Sequence, residues 1–344
     1  MRDLTVLVSA SGAPGTAALM RGLRENGERT VRIVGTDMSE RSIGRHLADA
    51  FHLVPAGADP GFPDAILDIC KREGVDAVLP QSSFVLEGLA EHRERFADEG
   101  VAVLVASPDA IRRTNDKADC YAFLQRIGVP TIEFRRVQGG EQVAAAAEEL
   151  GYPERPVCFK PVFSSGSRGF RVLDPTVNRA HQLLHERPGA VAMQLDDAVE
   201  LIADDPTDLL VMTLATGGER TIDGIAVGGK IALGHPKTRE AMRAGLAMYF
   251  VTLDDPQLME IADRIAAELE LDHFFNIQLV GDAVIEINPR ISTIVYQDDL
   301  DIPYLGVKHA LGEISFEELE ALRPRIRPGR TALRFFDQVE WDDT

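Results

Sequence analysis

Lysine is scarce in this chain: of 36 basic residues only six are lysines, at positions 71, 117, 160, 230, 237 and 308. A lysine in a pocket-like context is therefore more informative than usual. Cysteine is equally thin. Cys70, Cys120 and Cys158 are scattered, odd in number and form no CxxC pair. That gives neither a disulfide framework nor a zinc site, and leaves three small buried hydrophobes. Positive charge is outweighed, with a net charge of −19; such a surface repels nucleic acid and anionic lipid, so neither is expected as a partner. No run approaches the ~20 apolar residues of a membrane helix and no export signal opens the chain, so a cytoplasmic location is expected. The eight histidines form no metal spacing, and no Ser–His or Cys–His nucleophile pair is visible.

What the chain does have is rhythm. LTVLVSA, AALMRGLREN, VRIVGTD, FHLVP, AILDICKREG, DAVLP, FVLEGLAEHRERF and VAVLV alternate strand and helix through the first hundred residues. Continuous apolar strands between helices predict a doubly wound parallel sheet covered on both faces. From Ser107 the rhythm changes, with helices at 107–113 and 116–127, GVPTIEF, a helix near 141–150, the strand ERPVCFKP, GFRVL and a helix near 175–186. After residue 205 the pattern becomes antiparallel: DLLVMTLA, ERTIDGIAV and GGKIALGH, the helix PQLMEIADRIAAELE, then the hairpin HFFNIQLV-GD-AVIEINPR. Gly281-Asp282 between two apolar runs is a two-residue turn signal.

Two glycine-rich turns invite a nucleotide. VLVSASGAPGT, with Asp37 ending the next strand, resembles a dinucleotide fingerprint but has Ala10 where its first glycine belongs, and Pro14 removes a backbone donor. A tight turn, or the wall of a substrate site, fits better. FKPVFSSGSRGF places Lys160 on a strand before a Ser/Gly loop, the reverse of a Walker loop. There the glycines let the backbone approach an anion and the serines add donors. VIEINPRIST puts Glu286 and Asn288 two apart on a strand, hence on one face, as hard oxygen ligands suited to Mg²⁺. Gln278 faces them across the Gly281-Asp282 turn, and Arg290 follows Pro289. In ERTIDG, Glu219, Thr221 and Asp223 share one face. Lys117, at a helix start, runs against the helix dipole and makes sense as a phosphate ligand.

Taken in order, NDKADCYAFLQRIGVP, VCFKPVFSSGSRGF, LLVMTLATGGERTIDG and FNIQLVGDAVIEINPR resemble the ATP-grasp superfamily, specifically its carbamoyl-phosphate-synthase-like carboxylate–amine ligases. The resemblance covers essentially the whole chain. It implies an α/β plus α+β fold: an N-terminal doubly wound pre-ATP-grasp domain (1–110), a lid subdomain (111–205) and a C-terminal subdomain with the metal site (206–344). It also implies ATP and Mg²⁺, or Mn²⁺, as cofactors. Lys117 and Lys160 would contact the α- and β-phosphates, and Ser164, Ser165, Gly166, Ser167, Arg168 and Gly169 would close over the triphosphate. Met212, Thr213 and Leu214 would read adenine, and Glu219 the ribose. Gln278, Glu286 and Asn288 would hold the metal. Lys160 and Arg290 would be catalytic, Arg290 facing the reacting carboxylate or the transferred phosphoryl group. Two departures stand out: Thr213 where relatives often carry a glutamate, and Ser83 and Val85 where they often carry acids.

The chemistry implied is activation of a small-molecule carboxylate as an acyl phosphate, followed by attack of an amine, with a homodimer as a family-level expectation. Bicarbonate or carbamate activation is one alternative, and a catalytically silent nucleotide-binding regulator is another. An oxidoreductase built on the first domain is disfavoured by the broken fingerprint. The substrate pocket is expected among Ser11 to Gly15, Gln81 to Ser83, Lys237, Arg239, Arg243, Arg290, Ser292 and Thr293, whose basic members suit an acidic substrate. Reversing the charge of Arg243 is expected to raise the substrate KM, and an unchanged value would remove it from the set.

Overall fold

The computed structural model describes residues 1–164, 166, 168–186, 189, 191–243, 246–292, 300–335 and 337–341. The N-terminal segment runs β1 (Leu4–Ser9), α1 (Thr16–Arg24), β2 (Val31–Asp37), α2 (Gly44–Leu47), β3 (Ala50–Leu53), α3 (Phe62–Glu73), β4 (Ala77–Pro80), α4 (Ser83–Glu91), α5 (Arg93–Asp98) and β5 (Ala102–Val103). Its strands form one parallel sheet in the order β3-β2-β1-β4-β5. Val6, Leu7 and Val8 of β1 and Ala77, Val78 and Leu79 of β4 are all buried, on both faces alike, which is why these runs are continuously apolar. The strand order reverses between β1 and β4, so their carboxyl ends flank a switch-point crevice. The sequence suggests one helix over FVLEGLAEHRERF; the structure breaks it at His92, whose Nδ1 donates to the Gly88 carbonyl at 2.8 Å.

Two helices lead out of this domain, α6 (Pro108–Asn115) and α7 (Lys117–Arg126). The Asp116 carboxylate caps α7 by accepting from the Ala118 and Asp119 amides, which satisfies donors the first turn leaves open. Then come β6 (Phe134–Val137), α8 (Gly139–Glu149), β7 (Val157–Pro161), β8 (Arg171–Leu173), α9 (Arg179–His185), β9 (Ala192–Met193), α10 (Leu195–Ile202) and β10 (Leu209–Thr213). They form a second sheet in the order β6-β10-β7-β8-β9. Val143, Ala147 and Leu150 of α8 and its C-cap, with Ala198 of α10, pack on Val157, Phe159 and Val211 of that sheet.

The third segment comprises β11 (Glu219–Val227), β12 (Lys230–Thr238), β13 (Glu240–Arg243), β14 (Leu246–Val251), α11 (Pro256–Glu268), β15 (His273–Val280), β16 (Ala283–Asn288), α12 (Ile302–Ala310), α13 (Phe316–Glu320) and β17 (Thr331–Leu333). An antiparallel sheet of order β12-β11-β15-β16 is its frame, and β13-β14-β17 form a smaller one that the apolar pattern did not announce. Gly281, at φ 55°, turns the β15–β16 hairpin, a conformation that suits glycine. Strand alternation splits the four-stranded sheet cleanly. Ile222, Ile277 and Ile287 join one core with Leu258, Ala262 and Ile265 of α11. Thr221, Asp223, Asn276, Gln278, Glu286 and Asn288 are left on the other face. Among the described residues no helix is long and apolar enough to cross a membrane.

Gly224 sits in the middle of β11, between two strands. A Cβ there would stand 2.0 Å from the Leu233 carbonyl oxygen and 2.8 Å from the Phe275 ring. Gly224→Ala is expected to lower the unfolding free energy by about 3 kcal/mol, read from urea denaturation; an unmoved midpoint would mean the β11–β12 pairing yields freely.

Candidate functional site

The polar face of the four-stranded sheet is organised around one amide. Asn276 lies opposite Asp223 on β11 and opposite Asn288 on β16. Its Nδ2 donates to Thr221 Oγ1 and to Asp223 Oδ1, both at 2.7 Å. Its Oδ1 accepts from Gln278 Nε2 at 2.8 Å and from Asn288 Nδ2 at 3.2 Å. Thr221 Oγ1 in turn donates to the Ile277 carbonyl at 2.9 Å. These bonds use the amide N–H groups of Gln278 and Asn288 and leave their oxygens as ligand atoms. Glu286 is paired directly with Gln278. Among the described residues no cluster of three His, Cys, Asp or Glu occurs. The set is one carboxylate beside two amide oxygens, and it fits Mg²⁺ that draws further ligands from phosphate.

Two lysines approach this face from the second segment. Lys160, near the end of β7, donates from Nζ to Tyr121 Oη at 3.0 Å. Lys117, first residue of α7, donates to the Ser164 carbonyl at 2.5 Å, so the ammonium already holds the root of the Ser/Gly loop. Burial first, and the neighbouring Lys117 second, pull the Lys160 ammonium down to about 8 from its usual 10.5, with Glu286 opposing. Lys117 is lowered too, chiefly by burial, again with Glu286 working the other way. In the loop, Gly169 at φ 71° lies so close to Pro161 that a Cβ would meet its Cδ at 2.5 Å, whereas Gly166, at φ 62°, is open. Ser165 and Ser167 lie outside the described residues.

Arg290 closes the site against the first domain. Its Nε donates to Ser83 Oγ at 3.2 Å and its Nη1 to the Ile291 carbonyl at 2.9 Å. Burial lowers its guanidinium, while Glu286 and Asp223 support the charge. Lys237, opposite Thr221 on β12, is buried in an ion pair with Asp223. Arg239 Nε reaches Glu219 Oε2 at 3.3 Å. Arg243 is exposed at the end of β13, and Ser292 is half-buried. Thr293 lies outside the described residues. Gln81 donates to Thr16 Oγ1 at 2.9 Å.

The Ser11–Gly15 turn is spent largely on its own sheet. Gly12 N–H donates to Asp37 Oδ2 at 2.7 Å, Ser11 N–H donates to the Thr36 carbonyl at 3.0 Å, and Ala10 takes φ 53°. In the Met212–Leu214 stretch, the Thr213 and Leu214 amides are occupied by the Glu133 and Pro156 carbonyls at 3.0 and 2.9 Å. Cys70, Cys120 and Cys158 are free and buried as expected, and burial pushes each thiol up to about 12. Two residues central to this geometry were not singled out from the sequence, Asn276 and Tyr121. Asn276 was findable, since it stands two residues before Gln278 on the same strand face. Tyr121 follows Lys117 by four residues on a helix, hence on its face, yet a buried aromatic there reads as core.

A lysine buried at this cost leaves a thermodynamic trace. Below about pH 8 the folded chain carries the ammonium; between about 8 and 10.5 the unfolded chain holds the extra proton, so unfolding free energy rises with pH. That difference corresponds to about 3 kcal/mol. Lys160→Met is therefore expected to be more stable at pH 7 by up to that amount and to lose the rise, measured by urea denaturation across the range. Equal pH slopes in both proteins would contradict the assignment.

Comparison with known proteins agrees with this fold. Residues 7–104 match the model of the PylC-like N-terminal domain, and residues 205–329 match that of an ATP-grasp domain in the biosynthetic pathway with Ter operon. The carbamoyl phosphate synthase large chain of Methanothermobacter thermautotrophicus is 26% identical over 296 residues, which are 79% of this chain and 25% of that one. The chain thus spans about a quarter of that relative's length. Among solved structures, the biotin carboxylase domain dimer of Hydrogenobacter thermophilus 2-oxoglutarate carboxylase, bound to MgADP, ADP and bicarbonate, matches with a TM-score of 0.66 at 18% identity, over 95% of this chain and 73% of that one. The L-amino acid ligase of Bacillus licheniformis matches with a TM-score of 0.63 at 14% identity, over 96% and 78%. With a parallel N-terminal sheet followed along the chain by one mixed and two antiparallel sheets, the protein carries a PylC-like N-terminal domain over residues 7–104 and an ATP-grasp domain over residues 205–329.

Proposed function

We propose that the chain is an ATP-dependent carbon–nitrogen ligase that activates a small-molecule carboxylate as an acyl phosphate and joins it to an amine, releasing ADP and phosphate. One observation carries the reading: three half-buried cations, Lys117, Lys160 and Arg290, are each disfavoured by burial and share Glu286 as a supporting charge. Buried charge of one sign calls for a partner of the other. A polyphosphate and a carboxylate substrate supply it.

Each residue then has a task. Lys117 and Lys160 bind the α- and β-phosphates, and the donors of Ser164–Gly169 close over the triphosphate and exclude water from the acyl phosphate. The carbonyls of Met212–Leu214 face adenine, and Glu219 accepts from the ribose while Arg239 holds its other oxygen. Glu286, Asn288 and Gln278 hold Mg²⁺ or Mn²⁺, which when bound neutralises charge on the phosphate oxygens. Arg290 orients the substrate carboxylate, whose oxygen attacks the γ-phosphorus as the bond to ADP breaks. An amine then attacks the acyl carbon, phosphate leaves, and the amine gives up a proton. Gln81, Ser83, Lys237, Arg239, Arg243 and Ser292 line the acceptor side, a basic wall suited to an acidic substrate.

The same reading assigns residues 1–110, 111–205 and 206–344 to three domains; β10 hydrogen-bonds into the lid sheet from beyond the second boundary. A cytoplasmic homodimer is the proposed form. Bicarbonate is the second candidate for the activated acid, favoured by the bicarbonate in the matched carboxylase domain.

Release of phosphate and ADP from Mg-ATP, screened against pooled carboxylic acids and amines beside Lys160→Ala, tests the proposal. Release that needs one acid and one amine, and is lost in the variant, is expected. Turnover with bicarbonate alone would favour the second candidate. ATP bound but never turned over would favour a regulator.

A further inference from the structure

We propose that Tyr121 is a positioning residue of the nucleotide site: its hydroxyl fixes the Lys160 ammonium relative to the strand that carries Glu286 and Asn288. The inference rests on the functional reading above, in which Lys160 contacts ATP. Tyr121 Oη accepts from Lys160 Nζ at 3.0 Å and donates to the Ile285 carbonyl, one residue before Glu286, at 2.7 Å. One oxygen thus ties β7 of the lid sheet to β16 of the core sheet. The ring is 1% exposed, leans on Phe134 at 5.6 Å between centroids, and has the ammonium 5.5 Å from its own centroid.

The direction of the bonds is fixed by chemistry. A carbonyl only accepts, so the phenolic proton points to Ile285 and the oxygen lone pair is left for the ammonium. Burial holds the phenol well above its ordinary value, so that proton stays in place. Lys160 gains from such an acceptor, since burial and the neighbouring Lys117 both disfavour its charge. With the hydroxyl present, the ammonium is held on the site side of β7 before any phosphate arrives, which is preorganisation in the usual energetic sense. Tyr121 also shares its helix face with Lys117, so α7 sets both cations at once.

A second tether reaches the same strand without touching either lysine. Thr131 Oγ1 donates to the Val284 carbonyl at 2.8 Å, and Thr131 bridges Val284 through the backbone. It provides the control for general loosening of the lid root.

The test is calorimetric titration of Mg-ATP into the wild type, Tyr121→Phe, Thr131→Val and Lys160→Ala. Tyr121→Phe keeps the ring and deletes the oxygen. Because a hydrogen bond to a charged group is lost, its Kd is expected to rise about tenfold or more, with binding stoichiometry unchanged. Thr131→Val is expected to keep the wild-type Kd. A merely structural role for Tyr121 would lower the stoichiometry and leave Kd alone, and that result overturns the inference. So does an equal rise in Kd for Thr131→Val. If Lys160→Ala weakens ATP and Tyr121→Phe does not, the inference fails while the functional reading stands. A wild type that binds no ATP removes both.

Discussion

Everything at the polar face of the four-stranded sheet depends on the register of three antiparallel strands. Because side chains alternate along a strand, the pairing of Asn276 with both Asp223 and Asn288 places six polar groups on one surface and their neighbours in the α11 core. Asn276 then spends both its donors and its acceptor on those groups. A slip of one residue would turn Glu286 and Asn288 into the α11 core and bring Ile287 to the site. The hydrophobic packing on α11 is what forbids it, so the same apolar contacts that stabilise the sheet also fix which side chains share the polar face.

The electrostatic design runs against the composition. A chain with a net charge of −19 keeps its buried site rich in cations. Lys117, Lys160, Arg290 and Lys237 are each displaced from their usual values by burial, and among the described residues only Lys237 of these has a carboxylate in contact. The acidic exterior and the basic interior need not conflict. Surface charge is screened over a Debye length of about 10 Å, whereas charges held out of water act on a ligand almost unshielded. The half-buried cations therefore carry an electrostatic cost that negative charge placed beside them would offset.

Much of this was legible in the sequence. The parallel first sheet is visible because buried strands such as LTVLVS are apolar on both faces, and the hairpin around Gly281 because its turn chemistry is local. Lys160, Glu286 and Asn288 stand out because each is a polar break in an apolar run. What escaped detection depends on contacts between distant segments. Tyr121 meets Ile285 across 164 positions, and Arg290 meets Ser83 across 207. β13, β14 and β17 escaped because β13 is exposed and β14 pairs with β17 from the far end of the chain. The broken fingerprint in the first turn has a physical counterpart: Asp37 is engaged with the Gly12 amide, and Ala10 adopts a left-handed conformation that costs a residue with a Cβ.

The bond from Lys117 to the Ser164 carbonyl changes what that lysine can contribute. An incoming phosphate does not meet a bare ammonium; it competes with an acceptor already in place. The gain at Lys117 is therefore a difference between two partners, smaller than a whole charge-assisted hydrogen bond, and it is tied to release of the loop root. Any anion that takes the Lys117 ammonium must therefore draw it from the Ser164 carbonyl, so charge at this one nitrogen is coupled to the freedom of the chain after β7.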